Sequence, residues 1–487
     1  MNYKLREALF LFSFILLGLV MFAVTKSILV WAFLAVAMMG IIMVGNPKVL
    51  LLIYWIYLNV YPLAKEVVPS IITQWSDEAF IVMMLGILAM RYIRFREVPP
   101  GCRTMTRVLW FLIGLVFISA ILTGGVNFYL VMYYSHYFRC FLVFYFALIV
   151  LPRENYRFYY KMLIVGAFIH IILNAGWYVG ANPLPNPKLG GPDFARGGVE
   201  GCNYVAYFTV GVLGVLFGLI VFGSGRKKLA AAALFGIMLI QLYFTFTIHA
   251  YFIFAAAMAA LMIITRNYRA LIAGAVLLTM LYTGFSAIQA QQSEVGKMVS
   301  SKNLEKRWER FMQGTKLESY RRSIVELPRD AKYFWLVGAG PGKAGSVIGR
   351  ETRQPIAEKY YNWMRKAVSG QRISLGGSIT TGIVTALLTI WSEMGPIGFV
   401  LYWWLWGYAL YRIYNQYSRN MYCDPYQNAL ALGFVAYAVT MFGIFALAPL
   451  LHVAFLTNAF WLWAAILWVP GLSCSGKPAK NTAPHYA

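Results

Sequence analysis

The chain has 487 residues, 60% of them apolar and 17% aromatic, with only 12% charged and a mean hydropathy of +0.63. A soluble globular chain holds about 45–50% apolar and about 25% charged residues, so a soluble enzyme is excluded and one polytopic membrane domain is expected. A net charge of +24 would suit nucleic acid, but the 42 Lys and Arg fall mainly between apolar runs, where they set topology, so no nucleic-acid partner is expected.

Fourteen apolar runs are long enough to span a bilayer. They lie at about 8–25, 27–44, 49–64, 78–92, 108–123, 136–151, 162–180, 202–222, 230–247, 249–265, 270–287, 395–411, 427–447 and 452–470. With the N-terminus inside, cytoplasmic segments hold twenty basic residues, from Lys4 and Arg6 through Arg226, Lys227 and Lys228 to Lys477 and Lys480. Apart from one long outer loop, only five, Lys26, Lys65, Arg139, Lys188 and Arg196, lie outside or near the outer ends, which orients the chain with both termini cytoplasmic. The first run is followed at once by Lys26 and another apolar run, with no small-residue cleavage site, so it reads as a retained helix. The expected organisation is a bundle over 1–287, a large outer loop over 288–392, three more spans over 393–470 and a cytoplasmic tail over 471–487.

The outer loop carries the other 17 basic residues against eight acidic ones, a balance of +9. Long loops translocate largely regardless of charge, and one of this length is expected to be folded. Leu304, Trp308, Phe311 and Met312 make a helical stripe that Gly314 stops. Thr315 with Glu318 then forms a capping box for a second helix ending before Pro328. Both helices are expected to be amphipathic and to lie against the membrane or the bundle; the plain alternative is a cap that only seals the bundle. Five scattered cysteines and five scattered histidines give neither a disulfide framework nor a zinc site.

Two stretches carry chemistry. Phe194-Ala-Arg-Gly-Gly precedes the eighth span, where Arg196 beside glycines can offer a bidentate fork and backbone N–H groups to an oxyanion. A simple loop-to-helix turn is the alternative. The second stretch runs from Tyr320-Arg321-Arg322 to Trp335-Leu-Val-Gly-Ala-Gly-Pro-Gly-Lys-Ala-Gly345. Gly338, Gly340 and Gly342 permit close backbone approach to a ligand, and Lys343 adds a point charge. It is not a Walker A loop, because the four-residue gap before Gly-Lys is absent and Ala344 follows the lysine. With Arg321, Arg322, Arg350 and Arg353 nearby in sequence, it reads as a site for a polyanion at the outer surface, most simply a lipid diphosphate; a hinge with solvated charges is the alternative.

Beyond it, an apolar run of about ten residues is too short to cross and reads as a re-entrant or horizontal helix. It leads into Trp391-Ser-Glu-Met-Gly-Pro-Ile-Gly398, which places Glu393 at membrane depth. A carboxylate there costs roughly 2.5–3.5 kcal/mol on insertion scales unless paired, so it is either functional or a cap on its helix dipole.

In this order, Arg-Gly-Gly with Asn203 and Ala206 before a span, Arg307-Trp308, Tyr320-Arg-Arg, Val-Gly-Ala-Gly-Pro-Gly and Glu-Met-Gly-Pro-Ile-Gly resemble the O-antigen ligase and O-antigen polymerase family of bacterial membrane glycosyltransferases, over about residues 194–400. The resemblance implies a GT-C-like, metal-independent enzyme without cofactor in the bacterial inner membrane. Such an enzyme takes a glycan from undecaprenyl diphosphate on the periplasmic face and joins it to an acceptor glycan. It implies that Arg196 and Arg321 or Arg322 bind the diphosphate, that the Gly338–Gly342 turn shapes the site and that Glu393 holds the Glu-x-Gly position. Arg329 and Gly340 also fit the Arg-x10-Gly spacing of polymerases. Ligases carry a His about nine residues before the Glu, where this chain has Val384 and Thr385, and this favours a polymerase.

The expected reaction is attack of an acceptor hydroxyl on the anomeric carbon. Arg196, Arg321, Arg322 and Lys343 stabilise the leaving diphosphate, and Glu393 takes the proton or orients the acceptor. Trp308, Trp335, Tyr360, Tyr361 and Trp363 either stack on sugars or anchor in the membrane. Membrane lipid, a chain-length regulator and a flippase are the further expected partners. The rival readings are a ligase and a transporter of lipid-linked glycans.

Overall fold

The structure is a computed structural model. It describes residues 46–67, 70–95, 101–124, 126, 128–151, 156–180, 201–244, 248–266, 320–346, 348–349, 352–362, 385–422, 424–447, 451 and 454–468. Every regular element among them is helical. Eight long helices come first: α1 (Pro47–Val67), α2 (Ser70–Phe95), α3 (Arg103–Leu122), α4 (Phe128–Val150), α5 (Tyr156–Gly180), α6 (Gly201–Phe222), α7 (Gly225–Phe244) and α8 (Ile248–Thr265). Short pieces follow, a π-turn over Arg322–Glu326 continued by α9 (Leu327–Asp330), then α10 (Phe334–Val337) and single turns at Pro355–Ala357 and Glu358–Asn362. Three long helices close the described chain: α11 (Ala386–Ser418), α12 (Pro425–Leu447) and α13 (Ala454–Leu467).

Among the described residues four segments are long and apolar enough to cross a membrane: Arg103–Leu122, Tyr129–Val150, Val205–Phe222 and Pro425–Leu447. The described residues are thus those of an all-α protein with membrane-spanning capacity. Eleven of the fourteen expected runs coincide with described helices; those at 8–25, 27–44 and 270–287 lie outside the described residues, as do the Leu304–Met312 stripe and the Thr315–Glu318 box.

Helices α6 and α12 meet at the closest range. Gly214 and Gly218 face Ala436, Gly433 and Ala429, so that a methyl on Gly214 would lie 2.6 Å from the Ala436 Cβ and one on Gly218 2.5 Å from the Ala429 Cα. Small residues at this spacing bring two backbones together where the hydrophobic effect cannot drive association. On the other side, α13 packs on α4 through Trp461, which stacks against Phe141 and Phe144 at 4.7 and 5.3 Å. One end of this core is pinned by Arg412, whose guanidinium donates to the Gly101 carbonyl at 2.9 Å and lies 4.4 Å over the Trp468 ring.

Three expectations change. The helix expected to stop before Pro328 instead runs through it to Asp330. Proline clashes with the carbonyl four residues back, and the wider π-turn upstream, closed by the Leu327 N–H to the Arg322 carbonyl, makes room for it. Arg139, placed near the outer end of a span beginning at 136, is mid-helix and buried, because α4 begins at Phe128 and Leu130 and Tyr133 extend its buried face. The run expected at 395–411 is the second part of α11, which starts at Ala386 and breaks its helical geometry only at Gly395, where φ is +68°.

Candidate functional site

The break in α11 builds the site. Pro396 has no N–H, so the carbonyl of Ser392, four residues earlier, loses its helical donor. The glycine-rich turn after α10 replaces it: Ala339 N–H donates to the Ser392 carbonyl at 2.8 Å, and Gly340 N–H to the Glu393 carbonyl at 3.3 Å. Gly338 and Gly395 lie backbone to backbone, both at positive φ. A methyl on Gly338 would come within 2.6 Å of the Glu393 carbonyl oxygen, and one on Gly395 within 2.5 Å of the Gly338 nitrogen and the Phe334 carbonyl oxygen. Only glycine fits either position.

The turn then closes over the Glu393 side chain, which is fully buried. Gly342 N–H donates to Oε2 at 3.0 Å, and the N–H groups of Ala344 and Ser346 donate to Oε1 at 2.9 and 2.8 Å. Successive amides turned inward make an anion nest, and here the anion is the chain's own carboxylate. The Ser346 side chain adds a further hydrogen bond to the same carboxyl. The close approach that Gly338 permits is to α11 and that of Gly340 is to Thr123 at the end of α3, rather than to open space, and Glu393 is held by the turn rather than capping its own helix.

The C-terminal end of α3 supports the turn from the other side. Ser119 Oγ donates to the Val337 carbonyl at 2.7 Å, Thr123 Oγ1 bonds back to the Ser119 carbonyl at 2.8 Å, and the Lys343 ammonium donates to the Thr123 carbonyl. A cation on the last carbonyls of a helix also complements its dipole. Partial burial pulls the Lys343 ammonium below the usual lysine range.

A small apolar cluster of Leu327, Phe334, Ala339, Ala344, Tyr360 and Leu388 lies beneath, with Trp391 at its edge. Trp391 meets Phe334 edge to face at 5.6 Å and donates its indole N–H to the Ser323 carbonyl at 3.1 Å. Thr385 is the N-cap of α11; its hydroxyl accepts from Leu388 N–H at 3.2 Å and lies 2.9 Å from the Tyr320 hydroxyl, which donates to the Ala446 carbonyl. Burial pushes the Tyr320 phenol up, against the hydrogen bond from Thr385. Asp330 accepts from the Lys359 ammonium and the Tyr360 hydroxyl, bonds that hold its carboxyl below the usual range.

Of the residues expected at the site, Gly338, Gly340, Gly342, Lys343 and Glu393 are brought together. Trp335 extends outward from α10, and Arg329 is on the surface. Arg321 is exposed and forms an ion pair with Glu326 at 3.0 Å; Arg322, the next residue, opens the π-turn. Arg196, Arg350, Trp308, Trp363 and Val384 lie outside the described residues, and nothing is described of the Tyr361 side chain. Sequence reasoning missed Ser119, Thr123 and Ser346. A Ser and Thr four apart, at the very end of an apolar run and just before Gly124-Gly125, were the available signal for the first two.

Among the described residues no three His, Cys, Asp or Glu side chains gather. No protein-family model matches the chain, and no curated protein matches it.

Proposed function

We propose that this chain is a polymerase-type membrane glycosyltransferase that joins undecaprenyl-diphosphate-linked oligosaccharide units on the periplasmic face of the bacterial inner membrane, in surface polysaccharide synthesis. The observation that carries the reading is the meeting of Val337-Gly-Ala-Gly-Pro-Gly342 with Glu393-Met-Gly-Pro-Ile-Gly398, two motifs of the resemblance far apart in sequence and hydrogen-bonded to each other. The absence of a His before Glu393, with a capping Thr385 in that region, supports a polymerase over a ligase.

In this reading an acceptor hydroxyl attacks the anomeric carbon, the glycosyl–phosphate bond breaks ahead of it, and the departing diphosphate is stabilised by Arg196, Arg321 and Arg322, with Gly338, Gly340, Gly342, Lys343, Arg329, Arg350 and Trp335 around the substrate. Cations fixed beside a leaving group lower the barrier to such a transfer more than any other single device. Glu393 acts first by fixing the turn, since three amides already occupy its oxygens; in this reading it also takes the proton or orients the acceptor. A chain-length regulator and a flippase are the protein partners this activity calls for.

The test uses purified protein in detergent with a synthetic undecaprenyl-diphosphate oligosaccharide of matched repeat, read by product size. The reading expects a ladder of longer lipid-linked glycans from the native chain and none from Arg196→Ala or from Arg321→Ala with Arg322→Ala. Absence of any ladder from the native chain overturns it and leaves the transporter reading in front.

A further inference from the structure

We infer that the segment from Arg321 to Leu336 is a foot that seats on the membrane surface, its apolar residues in the acyl boundary and its cations at anionic lipid phosphates. This does not depend on the glycosyltransferase reading, only on the chain being a membrane protein.

The segment is folded, and yet it holds out two apolar pairs. Trp335 and Leu336 are 64% and 59% exposed, and Ile324 and Val325 are 49% and 43% exposed. Their immediate neighbours Phe334 and Ser323 are buried and are the residues that Trp391 holds, one by an edge-to-face ring contact and one by the indole N–H. Both pairs thus flank a single anchor on α11, each outward-facing because the adjoining residue faces in. Four exposed apolar side chains beside a formed apolar cluster are not packing remnants; apolar surface gathered around one anchor marks a face with a partner.

Continuity identifies the partner. The Ser119 hydroxyl holds the Val337 carbonyl, which puts Leu336 at the end of α3 whose outward residues Ile118, Ile121 and Leu122 are also exposed. On α11, the helix that carries Trp391, Ile397 and Val400 are exposed in the same way. The outward apolar surface of a helix long and apolar enough to cross a membrane faces lipid, and the foot prolongs that surface instead of interrupting it.

The charges agree. Residues 321–336 contain Arg321, Arg322, Arg329 and Lys332 against Glu326 and Asp330. Arg329 and Lys332 are exposed, and the Lys332 ammonium lies 5.1 Å over the Tyr333 ring, which leaves it beside the apolar pair. Apolar residues flanked by cations, with a tryptophan at the boundary, suit an anionic interface. A protein partner of comparable area would call for matched acidic contacts to these cations.

A benzophenone amino acid placed singly at Val325, Leu336, Ile118 and Lys359 tests this in vesicles of phosphatidylethanolamine and phosphatidylglycerol. All four positions are exposed or outward-facing, so the substitutions leave the buried clusters alone. On irradiation, phospholipid adducts are expected at 118, 325 and 336 and not at 359, the solvent-facing partner of Asp330. Adducts at 118 without any at 325 and 336 overturn the inference, as does a crosslinked protein band from 325 or 336 in place of lipid.

Discussion

The Ala344 amide lies 2.9 Å from Glu393 Oε1, although the two residues are 49 apart in the chain. With the Gly342 and Ser346 amides this makes one carboxylate the organising charge of a loop that has no regular structure of its own. Hydrogen bonds to a charged group contribute about 1.5–3 kcal/mol each, and a buried donor left facing another donor costs more than its absence. Glu393→Gln keeps the volume but turns an NH2 toward one of the amides. It is expected to lower stability by about 3 kcal/mol and to raise hydrogen exchange at residues 342, 344 and 346 selectively. Unchanged exchange at those three amides would contradict the arrangement.

Gly338→Ala and Gly395→Ala should each be more damaging than their size suggests. The left-handed backbone costs a side chain about 1–2 kcal/mol, and at both positions a methyl also strikes backbone atoms that cannot move aside. Gly124→Ala is the control, since Gly124 has φ of +66° but nothing within 4 Å of the added methyl. Thermal unfolding in detergent should show a loss of about 1 kcal/mol for the control and at least twice that for the other two.

The α6–α12 contact makes a similar comparison. Gly218→Leu forces a side chain against the Ala429 backbone, and overpacking of this kind costs about 3 kcal/mol. Gly236→Leu on α7 meets open space and should stabilise by up to about 1 kcal/mol through helix propensity. Chemical unfolding of the two variants side by side checks the sign of each.

Asp330 gives a pH dependence. Its carboxyl is held low by Lys359 and Tyr360, so it contributes stability that is present above the ordinary carboxyl pKa of about 3.9 and is lost as pH falls through the lower folded value. Asp330→Asn removes that contribution at neutral pH and makes no further difference in acid. The gap in unfolding temperature between native chain and variant should be widest near pH 7 and close below pH 3.

The long helices were legible because the length of an apolar run is a property of a single stretch of chain. Their ends were less so: α3 begins at Arg103 instead of 108, since Arg103 and Arg107 are good helix formers and both stay exposed on the first turns. At the site, Glu393 drew attention as a costly carboxylate and Pro396 as a break, each from local chemistry. What joined them to the glycines was invisible, because the donors are backbone N–H groups, which every residue but proline carries and no sequence pattern marks. The Ser119 and Thr123 support was hidden for the same reason, as its acceptors are carbonyls.

The bond that Ala339 makes to the Ser392 carbonyl stands where proline deprived α11 of its own, and the one from Gly340 to the Glu393 carbonyl lies beside it, at the break in the helix. Lifting the glycine turn would therefore unstitch the helix as well, so the turn is a fixed wall and not a flap. Whatever arrives beside it meets a surface whose shape was set when the helix formed, and accommodation falls to side chains such as Lys343, which can swing while the backbone stays.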